Sequence, residues 1–516
     1  MTLPGETLGA PVKRIRNLIG NLDLGKSVAE FDEALETYFI ETNAFRELIS
    51  DKIDIIAGDK GTGKTAIYRI LHKKYPTLPS LHATEVLAAF NPTGNPVFQK
   101  LGEHAVQEEG EYIRLWKLYF LSLVGNWLLS VWDGNFTPSM SQLDQLLKGL
   151  DIRSKDDAPV NIFARTLSQI GRLFQWRAAE VEITASDTGI PLVTPRIEFD
   201  NTPSTEPSRK NVSVEFALRL LNTCLDDATL SVWVAVDRLD EAFQGYPQVE
   251  VPALRALLRT YLDMLDFPKI KLKLFLRRDL FRRIIAGGFV NLTHVNARKF
   301  ELIWDEEDLL NLLCRRIRGN RDFCTALDID ELGNKEVFDR IFPRQVDVGK
   351  RKPLTWTWIM RRIRDGNDIK PPRNLIDLIS MAQQAQLRRE EREPDSREYG
   401  AGVAIIEGGA LRRALGQLSR QRVQDTLLAK AGIYAPLIDR FRDGKAEHNT
   451  ESLADLLEPD QGAVRPTIQP LLDIGFLEDI KDTYKVPTLY REGLNITQGK
   501  AFDAKSDVSE DEDDED

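Results

Sequence analysis

Eight consecutive residues, Gly58 to Thr65, have the types and spacing of a phosphate-binding loop and read Gly-Asp-Lys-Gly-Thr-Gly-Lys-Thr. Glycines let backbone N–H groups close around a phosphate, the lysine reaches the β- and γ-phosphate oxygens, and the last threonine hydroxyl can hold Mg²⁺. The segment therefore predicts a site for a nucleoside triphosphate with Mg²⁺. The residues expected to form it are Gly58, Lys60, Gly61, Thr62, Gly63, Lys64, Thr65 and Ala66.

The residues on either side of this loop have the pattern that such chemistry requires. An apolar run at 53–57 predicts a buried strand before the loop, and a helical pattern at 66–71 follows it. The N-terminal end of a helix carries unpaired N–H groups and a partial positive charge, so it stabilises a bound phosphate. A glycine-rich turn without a ligand would not account for this order of strand, loop and helix.

A second apolar run, at 230–236, ends in the carboxylate of Asp237. A carboxylate at the end of a buried strand is a suitable partner for the loop threonine at a Mg²⁺ site, where it acts through water. Asp240 and Glu241 follow within four residues, and either of them could polarise an attacking water. In the competing interpretation, both belong to the acidic first turn of the next helix, which the helix dipole favours.

Arginines at two further places could sense the γ-phosphate. Arg277 and Arg278 follow an alternating pattern at 270–276 that predicts a strand, and ligands gather at the carboxyl ends of parallel strands. Either arginine could neutralise transition-state charge, in the same subunit or across a subunit boundary. Arg373 follows a double proline that fixes the start of a helix, so it would have a defined aim. Ion pairing or helix capping is the alternative role for these arginines.

Length and composition indicate a globular protein with several domains. The chain has 516 residues, of which 42% are hydrophobic and 29% charged. Its three cysteines have neither metal-ligand nor disulfide spacing, which is typical of a reducing cytosol. The pattern of a secretion signal is missing, and polar residues interrupt the longest apolar stretch, at 118–132. We therefore expect a cytoplasmic protein without membrane-spanning segments.

Charge is distributed unevenly along the chain, whose net charge is −11. The segment at 507–516 contains no basic residue and is almost entirely acidic, a composition typical of disorder. Between residues 271 and 422, by contrast, Lys and Arg outnumber Asp and Glu. This basic excess could face nucleic acid, but arginines at helical spacing more often pair with neighbouring acids on a solvated face.

The order of patterns predicts an α/β fold with helical additions around a parallel sheet. The interval between the loop and the second strand is far longer than a crossover connection needs, so it must contain an inserted helical lobe. Its expected parts are helices at 112–132 and 160–176 and a long loop at 184–211. Near the end of the chain, helical patterns at 423–441, 451–458 and 464–473 precede a hairpin, which is the order of a winged helix. The third of these contains only one basic residue, Arg465, which disfavours insertion into a DNA groove.

These patterns divide the chain into five parts. The first is an N-terminal helical segment at 1–50, in which Val28, Phe31, Leu35 and Phe39 share one face. The second is a nucleotide-binding core at 51–300, with the helical insertion at about 85–215. A helical lid at 301–400, a winged-helix-like domain at 401–500 and a disordered acidic tail at 501–516 complete the list.

Taken together, the motifs resemble a bacterial P-loop ATPase family known as FunZ-like, which is similar to the STAND and AAA+ branches of the additional-strand ATPases. The resemblance extends over most of residues 20–495 and is carried by the segments at 24–42, 58–65, 236–241, 275–281 and 372–376. It implies a P-loop NTPase fold, with the loop as Walker A motif and the strand ending at 237 as Walker B motif. It also implies that the nucleotide is ATP.

The same resemblance implies a role for each site residue. Lys64 and Thr65 would bind phosphate and Mg²⁺, and Asp237 would be the metal carboxylate of the second strand. Asp240 or Glu241 would activate water, and Arg373 would be a sensor in the lid. Because Arg238 rather than an acid follows Asp237, the segment is closer to the STAND pattern of Asp-x-x-Asp-Glu than to the AAA+ pattern.

Two classes of function fit these expectations. The first is a regulatory ATPase whose nucleotide state changes an oligomer or the activity of a partner, and families of this kind often accompany an effector enzyme in bacterial antiphage defence. The second is a nucleic-acid-dependent ATPase, a DNA loader or translocase, which would use the basic excess at 271–422. A small-molecule kinase is less favoured because the carboxylate pair suits water and no compact acceptor lid is visible. The expected partners are further copies of the chain, an effector protein and, in the second class, nucleic acid.

Overall fold

The computed structural model describes residues 14–89, 109–153, 213–239, 247–392, 397–400, 402–457, 464–481 and 483–497. The chain separates into two compact units. The first, called the sheet unit here, comprises residues 41–58 and 64–301. The second, called the helical unit, comprises residues 1–40, 59–63 and 302–516. Residues 59–63 of the phosphate loop therefore group with the helical unit.

Three apolar runs rich in Ile, Val and Leu form strands of the parallel sheet of the sheet unit, as their patterns predict, and two further strands were not predicted. The five strands are β1 (Ile55–Gly58), β2 (Thr84–Ala88), β3 (Ser231–Val236), β4 (Ile270–Arg277) and β5 (Lys299–Glu301). They lie in the order β2-β3-β4-β1-β5, and every neighbouring pair is parallel. The carboxyl ends of β1, β3 and β4 therefore meet at one edge, where parallel sheets bind ligands.

Eight helices are described in the sheet unit. They are Asn43–Ile49, Lys64–Lys74, Glu109–Val131, Pro138–Gly149, Val214–Asp227, Pro247–Met264, Arg278–Ile285 and Leu292–Ala297, with 3₁₀ turns at Tyr75–Thr77 and Pro79–Leu81. The predicted helix at 112–132 is confirmed as Glu109–Val131. The helix predicted at 160–176 and the loop predicted at 184–211 lie outside the described residues. β2 overlaps the start of the insertion predicted at about 85–215, and the bounds of this insertion stay a prediction.

The helix Glu109–Val131 is buried on nearly all sides because the helices Val214–Asp227 and Pro247–Met264 pack against it. Trp116 stacks on Phe120 with 5.9 Å between ring centroids, and its indole N–H donates to Ala253 O at 2.9 Å. The aromatic residues of this helix therefore serve core packing, as their helical spacing predicts.

The helical unit contains the predicted lid and the predicted winged helix around one shared hydrophobic core. Its small antiparallel sheet has the order β6-β8-β7, formed by β6 (Glu447–Asn449), β7 (Glu478–Ile480) and β8 (Thr483–Lys485). Its described helices are Ile15–Gly20, Leu35–Tyr38, Glu306–Arg318, Arg321–Leu327, Asn334–Ile341, Thr355–Ile363, Pro372–Arg392, Gly408–Arg422, Ala429–Ala431, Ala435–Asp439, Thr450–Leu457, Val464–Asp473 and Thr488–Arg491.

The winged-helix order is confirmed, with one difference at its first helix. The helix Gly408–Arg422 continues into a π-helical stretch, Val423–Leu428, and then into short helical turns up to Asp439. The continuous helix predicted at 423–441 is therefore broken. Two helices and the hairpin of β7 and β8 follow in the predicted order. Arg465 lies 3.5 Å from Asp479 of that hairpin, so its charge is partly compensated.

The N-terminal segment differs from its predicted helical pattern. Phe31 lies in a 3₁₀ turn, Ala29–Phe31, and is 74% exposed, so it does not share a buried face with Leu35. A buried ion pair explains the interruption, because Asp32 lies 3.0 Å from Arg316 and accepts a hydrogen bond from Tyr38. Burial of the Asp32 carboxylate bends the chain between the 3₁₀ turn Ala29–Phe31 and the helix Leu35–Tyr38.

Within the described ranges, every helix is too short or too polar to cross a bilayer. The sheet order, the loop between β1 and its helix, and the winged-helix topology together define the α/β P-loop NTPase fold that the sequence predicts. β4 lies between β1 and the strand that ends at Asp237.

Candidate nucleotide-binding site

The phosphate loop starts where β1 ends at Gly58 and leads into the helix Lys64–Lys74. Gly61 and Gly63 have φ angles of +85° and +101°, a region that glycine adopts far more readily than other residues. Thr62 closes the turn, because its N–H and its hydroxyl both donate to Asp59 O, at 3.3 and 2.8 Å. The predicted loop residues therefore have the backbone geometry of a phosphate loop.

Lys64, Thr65 and Ala66 form the first turn of the helix that follows. Lys64 Nζ donates to Gly58 O at 2.8 Å, which holds the ammonium over the end of β1. The N–H groups of a first helical turn lack acceptors within the helix, and the dipole adds partial positive charge. An anion placed at this helix end would thus meet unpaired N–H groups and a lysine.

Asp237 follows β3 directly and is only 3% exposed. The Thr65 hydroxyl hydrogen-bonds to its carboxylate, and the Lys64 ammonium acts on it through space. Burial outweighs both effects and raises the pKa of Asp237 to about 6. Its Oδ2 is buried and has no hydrogen-bond partner in the part of the chain that the structure describes.

A buried carboxylate oxygen without a donor fits a Mg²⁺ ion. The cation would offset the cost of burying the negative charge, and oxygen is the ligand that Mg²⁺ prefers. Thr65 and Asp237 are the residues that would hold it, as the sequence predicts. Among the described residues, no group of three or more His, Cys, Asp or Glu is arranged to hold another metal ion.

The backbone turns sharply after Asp237. Arg238 has a φ of +57°, a left-handed conformation that costs a non-glycine residue about 1–2 kcal/mol. Strain of this kind is typical of functional sites, where surrounding contacts enforce it. Asp240 and Glu241 follow this turn and lie outside the described residues, so their assignment to water activation stays a prediction.

The two arginines at the end of β4 have acidic neighbours in the sheet unit. Arg277 donates through Nε and Nη2 to the two carboxylate oxygens of Asp279, at 3.0 and 2.8 Å. Arg278 Nη1 lies 3.8 Å from Glu301 Oε2. Arg277 thus forms the ion pair that was the alternative to a phosphate contact. The sensor role of both arginines stays a prediction.

Arg373 contacts the phosphate loop within the helical unit. It lies in the first turn of the helix Pro372–Arg392, as the double proline predicts, and its N–H donates to Gly61 O at 3.4 Å. Its Nε is buried and has no hydrogen-bond partner among the described residues. Burial and the neighbouring Arg422 lower the pKa of this guanidinium. An anion near Arg373 would therefore be favoured.

Three contacts that the motifs did not predict hold the phosphate loop within the helical unit. The indole N–H of Trp304 donates to Thr62 O at 2.8 Å, and Lys60 Nζ donates to Asp425 O at 2.9 Å. Lys430 Nζ lies 3.9 Å from an Asp59 carboxylate oxygen. These pairs are hundreds of residues apart in the chain, so no local pattern could have identified them.

A small cavity of about 40 Å³ lies beside these contacts. Its lining includes Asp59, Lys60, Arg373, Lys430 and Asp365. Burial raises the pKa of Asp365 to about 6, although Lys430 acts in the opposite direction. The cavity thus brings two residues of the phosphate loop together with residues of the lid and of the C-terminal part.

No protein-family model matches the chain, and a comparison with curated proteins gives no significant match. Among solved structures, the chain is similar to the Walker-type ATPase PABY2304 of Pyrococcus abyssi, with 11% identity and a TM-score of 0.40 over 93% of this chain and 100% of that one. It is also similar to the ORC1 protein of Aeropyrum pernix in complex with DNA, with 12% identity and a TM-score of 0.35 over 91% and 96%. The ORC2 protein of the same organism, in ADPNP-ADP complexes, has 13% identity and a TM-score of 0.34 over 95% and 96%.

These likenesses are weak. The fold class and the candidate site therefore rest on the strand order, the loop geometry and the buried carboxylate described above. The resemblance to the FunZ-like family stays a prediction.

Proposed function

We propose that the chain binds and hydrolyses ATP with Mg²⁺, and that its nucleotide state changes the conformation of the C-terminal module, defined here as residues 402–497. One observation carries the first part. Asp237 is buried beside Lys64 and the Thr65 hydroxyl, and its Oδ2 has no partner among the described residues. An uncompensated buried carboxylate at this place is costly unless a cation binds it.

Each residue of the candidate site has a distinct task in this proposal. The loop N–H groups and Lys64 bind and orient the phosphates, while Thr65 and Asp237 hold the metal. Mg²⁺ supplies neutralisation of the charge that develops on the phosphate oxygens. Asp240 or Glu241 orients the attacking water, and Arg373 adds positive charge beside Gly61.

Hydrolysis is tested by measuring phosphate release with the variant Lys64→Ala. A positioned cation on the transferred phosphate is worth several kcal/mol, so we expect turnover to fall by two orders of magnitude or more. Lys73→Ala is the matched control, because it removes the same charge from an exposed position on the same helix. Unchanged turnover in Lys64→Ala would refute the site, and so would turnover that ignores removal of Mg²⁺.

Contacts of the loop within the helical unit support the second part of the proposal. Lys60 and Asp59 contact Asp425 and Lys430 of the C-terminal module, and Lys430 also donates to Ile474 O at 2.9 Å. A change in the loop on nucleotide binding would therefore alter contacts that extend to the residues just before the hairpin. Such a link needs no further mobile part, because the loop residues themselves touch the module.

Hydrogen exchange tests this link. Exchange of residues 423–434 should differ between ADP and a non-hydrolysable ATP analogue, and Lys430→Met should remove that difference while hydrolysis persists. Arg420→Met is the control, because Arg420 pairs with Glu492 at an exposed place in the same module. Equal exchange with both nucleotides in the parent chain would contradict the link without affecting the ATPase assignment.

Nucleic-acid-dependent hydrolysis is the second candidate, and the basic excess between residues 271 and 422 favours it. Hydrolysis that rises with DNA or RNA, and whose stimulation falls steeply with salt, would establish it. Assembly into an oligomer, an effector partner, a cytoplasmic location and a role in antiphage defence remain predictions from the sequence and its resemblance.

A further inference from the structure

A second cavity of the helical unit, called the basic cavity here, has a volume of about 730 Å³. That size is within the roughly 300–1,000 Å³ of ordinary ligand sites. Eight Lys or Arg residues line it, against three Asp or Glu residues. The basic lining residues come from two separate stretches of the sequence. The earlier stretch includes Arg351, Lys352 and Arg361, and the later one includes Lys485 of β8 and Arg491 of the helix that follows.

Ion pairs compensate part of this positive charge. Lys485 lies 3.1 Å from Glu447, Arg364 lies 3.2 Å from Glu478 and 3.2 Å from Asp368, and Lys370 lies 3.1 Å from Asp368 and 3.7 Å from Glu306. When Glu447 and Glu478 are counted with the lining residues, eight basic residues still outnumber five acidic ones. Among the acidic lining residues, Asp347 lies 2.6 Å from Arg412, a residue that does not line the cavity, so part of its negative charge is also compensated. Burial lowers the pKa of Arg491, so a carboxylate beside this guanidinium would favour its charged form.

We propose that the basic cavity binds the acidic segment at 507–516 of the same chain. The ligand would be a peptide rich in carboxylates, with Asp and Glu side chains opposite the cavity's arginines and lysines. Carboxylate and guanidinium groups form charge-assisted, often bidentate hydrogen bonds. The proposal does not depend on ATP hydrolysis, because its residues lie outside the phosphate loop.

The place where the described chain ends supports this occupant. Thr497 N donates to Gly444 O at 3.0 Å. Two residues after Gly444, Ala446 O accepts a hydrogen bond from Val486 N at 2.8 Å. Val486 adjoins Lys485, so the chain leaves the unit close to a residue of the basic cavity. Nine residues separate Thr497 from Asp507, and an extended chain of that length spans about 30 Å. A segment tethered this closely has an effective concentration in the millimolar range.

A nucleic acid fits the basic cavity less well. Single strands are bound along grooves that combine positive charge with aromatic side chains on which bases stack. The residues that line the basic cavity, all of them described, include no Phe, Tyr or Trp.

Zero-length carbodiimide cross-linking of the full chain, followed by mass spectrometry, tests the proposal directly. The reagent joins only carboxylates and lysines that touch. We expect links from 507–516 to Lys352 and Lys485, and a strong loss of these links in high salt. Lys350 is the internal control, because it is exposed in the same loop but does not line the cavity. Links distributed equally over Lys350 and other outside lysines would overturn the proposal.

A label on the acidic segment gives the second measurement. The three native cysteines are buried, so a dye reacts selectively with Ser509→Cys in the folded chain. In the labelled chain with no other substitution, called the parent here, the dye should rotate slowly. It should rotate freely when Arg351→Glu and Lys352→Glu are combined, because the fraction of bound segment should fall roughly tenfold. Lys350→Glu, which makes the charge reversal of one of these two substitutions in the same loop, should leave the dye slow.

Four results would contradict the assignment. The dye could rotate freely in the parent chain, or remain slow in the double variant. Cross-links could join isotopically distinct copies in a mixed sample, which would place the segment on a second chain. An oligonucleotide could bind through Arg351 and Lys352 while the dye rotates freely, which would make the basic cavity a nucleic-acid site.

Discussion

The substitution Asp237→Asn should stabilise the protein in the absence of nucleotide while abolishing its response to Mg²⁺. Asparagine has the shape of a protonated aspartate but carries no charge. In the structure, burial raises the pKa of Asp237 from 3.8 to about 6, despite the nearby Lys64 and Thr65. The ionised carboxylate is therefore a net cost to the folded state until a cation binds.

The sign and size of this effect follow from the raised pKa. A carboxyl group whose pKa is higher in the folded state contributes stability below its unfolded pKa of 3.8, and this contribution is lost as the pH rises through 6. A shift of about two units corresponds to about 3 kcal/mol at pH 8. For a unit of this size, that is a rise in melting temperature of roughly 6–12 °C for the variant.

Thermal unfolding of the parent chain and Asp237→Asn at pH 8 and at pH 4 tests this reasoning. The variant should melt higher at pH 8, and the difference should shrink toward pH 4, where the parent carboxyl is protonated. Adding Mg²⁺ and ATP should raise the melting temperature of the parent only, since a ligand at 100 times its Kd adds about 2.7 kcal/mol.

Asp226→Asn is the control, because it makes the same change at an exposed carboxylate of the same unit. Its effect should stay within about 0.5 kcal/mol. A lower melting temperature of Asp237→Asn at pH 8 without nucleotide would refute the claim that burial dominates at this carboxylate. A preserved response to Mg²⁺ would refute its role as metal ligand.

Three further predictions concern the loop and its neighbours. Asp240→Asn combined with Glu241→Gln should bind ATP normally in a filter assay and lose phosphate release; full turnover would move water activation elsewhere. Gly61→Ala should lower nucleotide affinity at least tenfold, because φ is +85° and the new Cβ would lie 3.0 Å from Arg373 Cβ. Its control, Gly288→Ala, has φ of +81° without a neighbour within 4 Å and should keep the affinity. Trp304→Phe should raise KM for ATP severalfold through loss of its bond to Thr62, and an unchanged KM would contradict that role.

The sequence was sufficient for the loop and for three of the five strands of the parallel sheet, because their determinants are local. Glycines at fixed spacing allow the positive φ angles of Gly61 and Gly63. Runs of β-branched residues that are too short for a helix form buried strands. Alternation at 270–276 likewise predicts a strand, but it assigns Lys273 to the polar face. In the structure Lys273 is fully buried, and it bonds to Asp54 at 2.7 Å and lies over the ring of Trp233.

What the sequence could not predict depends on partners far away in the chain. Lys273 is tolerated in the core because Asp51 and Asp54, from the segment before β1, form ion pairs with it. The contact of Trp304 with Thr62 and that of Lys60 with Asp425 are similar cases, since neither has a spacing that marks it. The break in the helix predicted at 423–441 is also accompanied by long-range contacts, because Lys60 donates to Asp425 O there, and Lys430 of the same stretch donates to Ile474 O.

These loop contacts have the magnitude that a nucleotide switch needs. The bond from Lys60 to Asp425 is worth about 1 kcal/mol, and the wider pair of Lys430 and Asp59 adds less. Their sum, about 1–2 kcal/mol, lies within the coupling free energy of ordinary allosteric proteins, about 1–3 kcal/mol. A ligand shifts a conformational equilibrium only by its difference in affinity for the two states. A triphosphate that favours a loop without these two contacts would therefore need only about a tenfold preference to release the module, whereas a much stronger set of bonds would prevent nucleotide binding from releasing it.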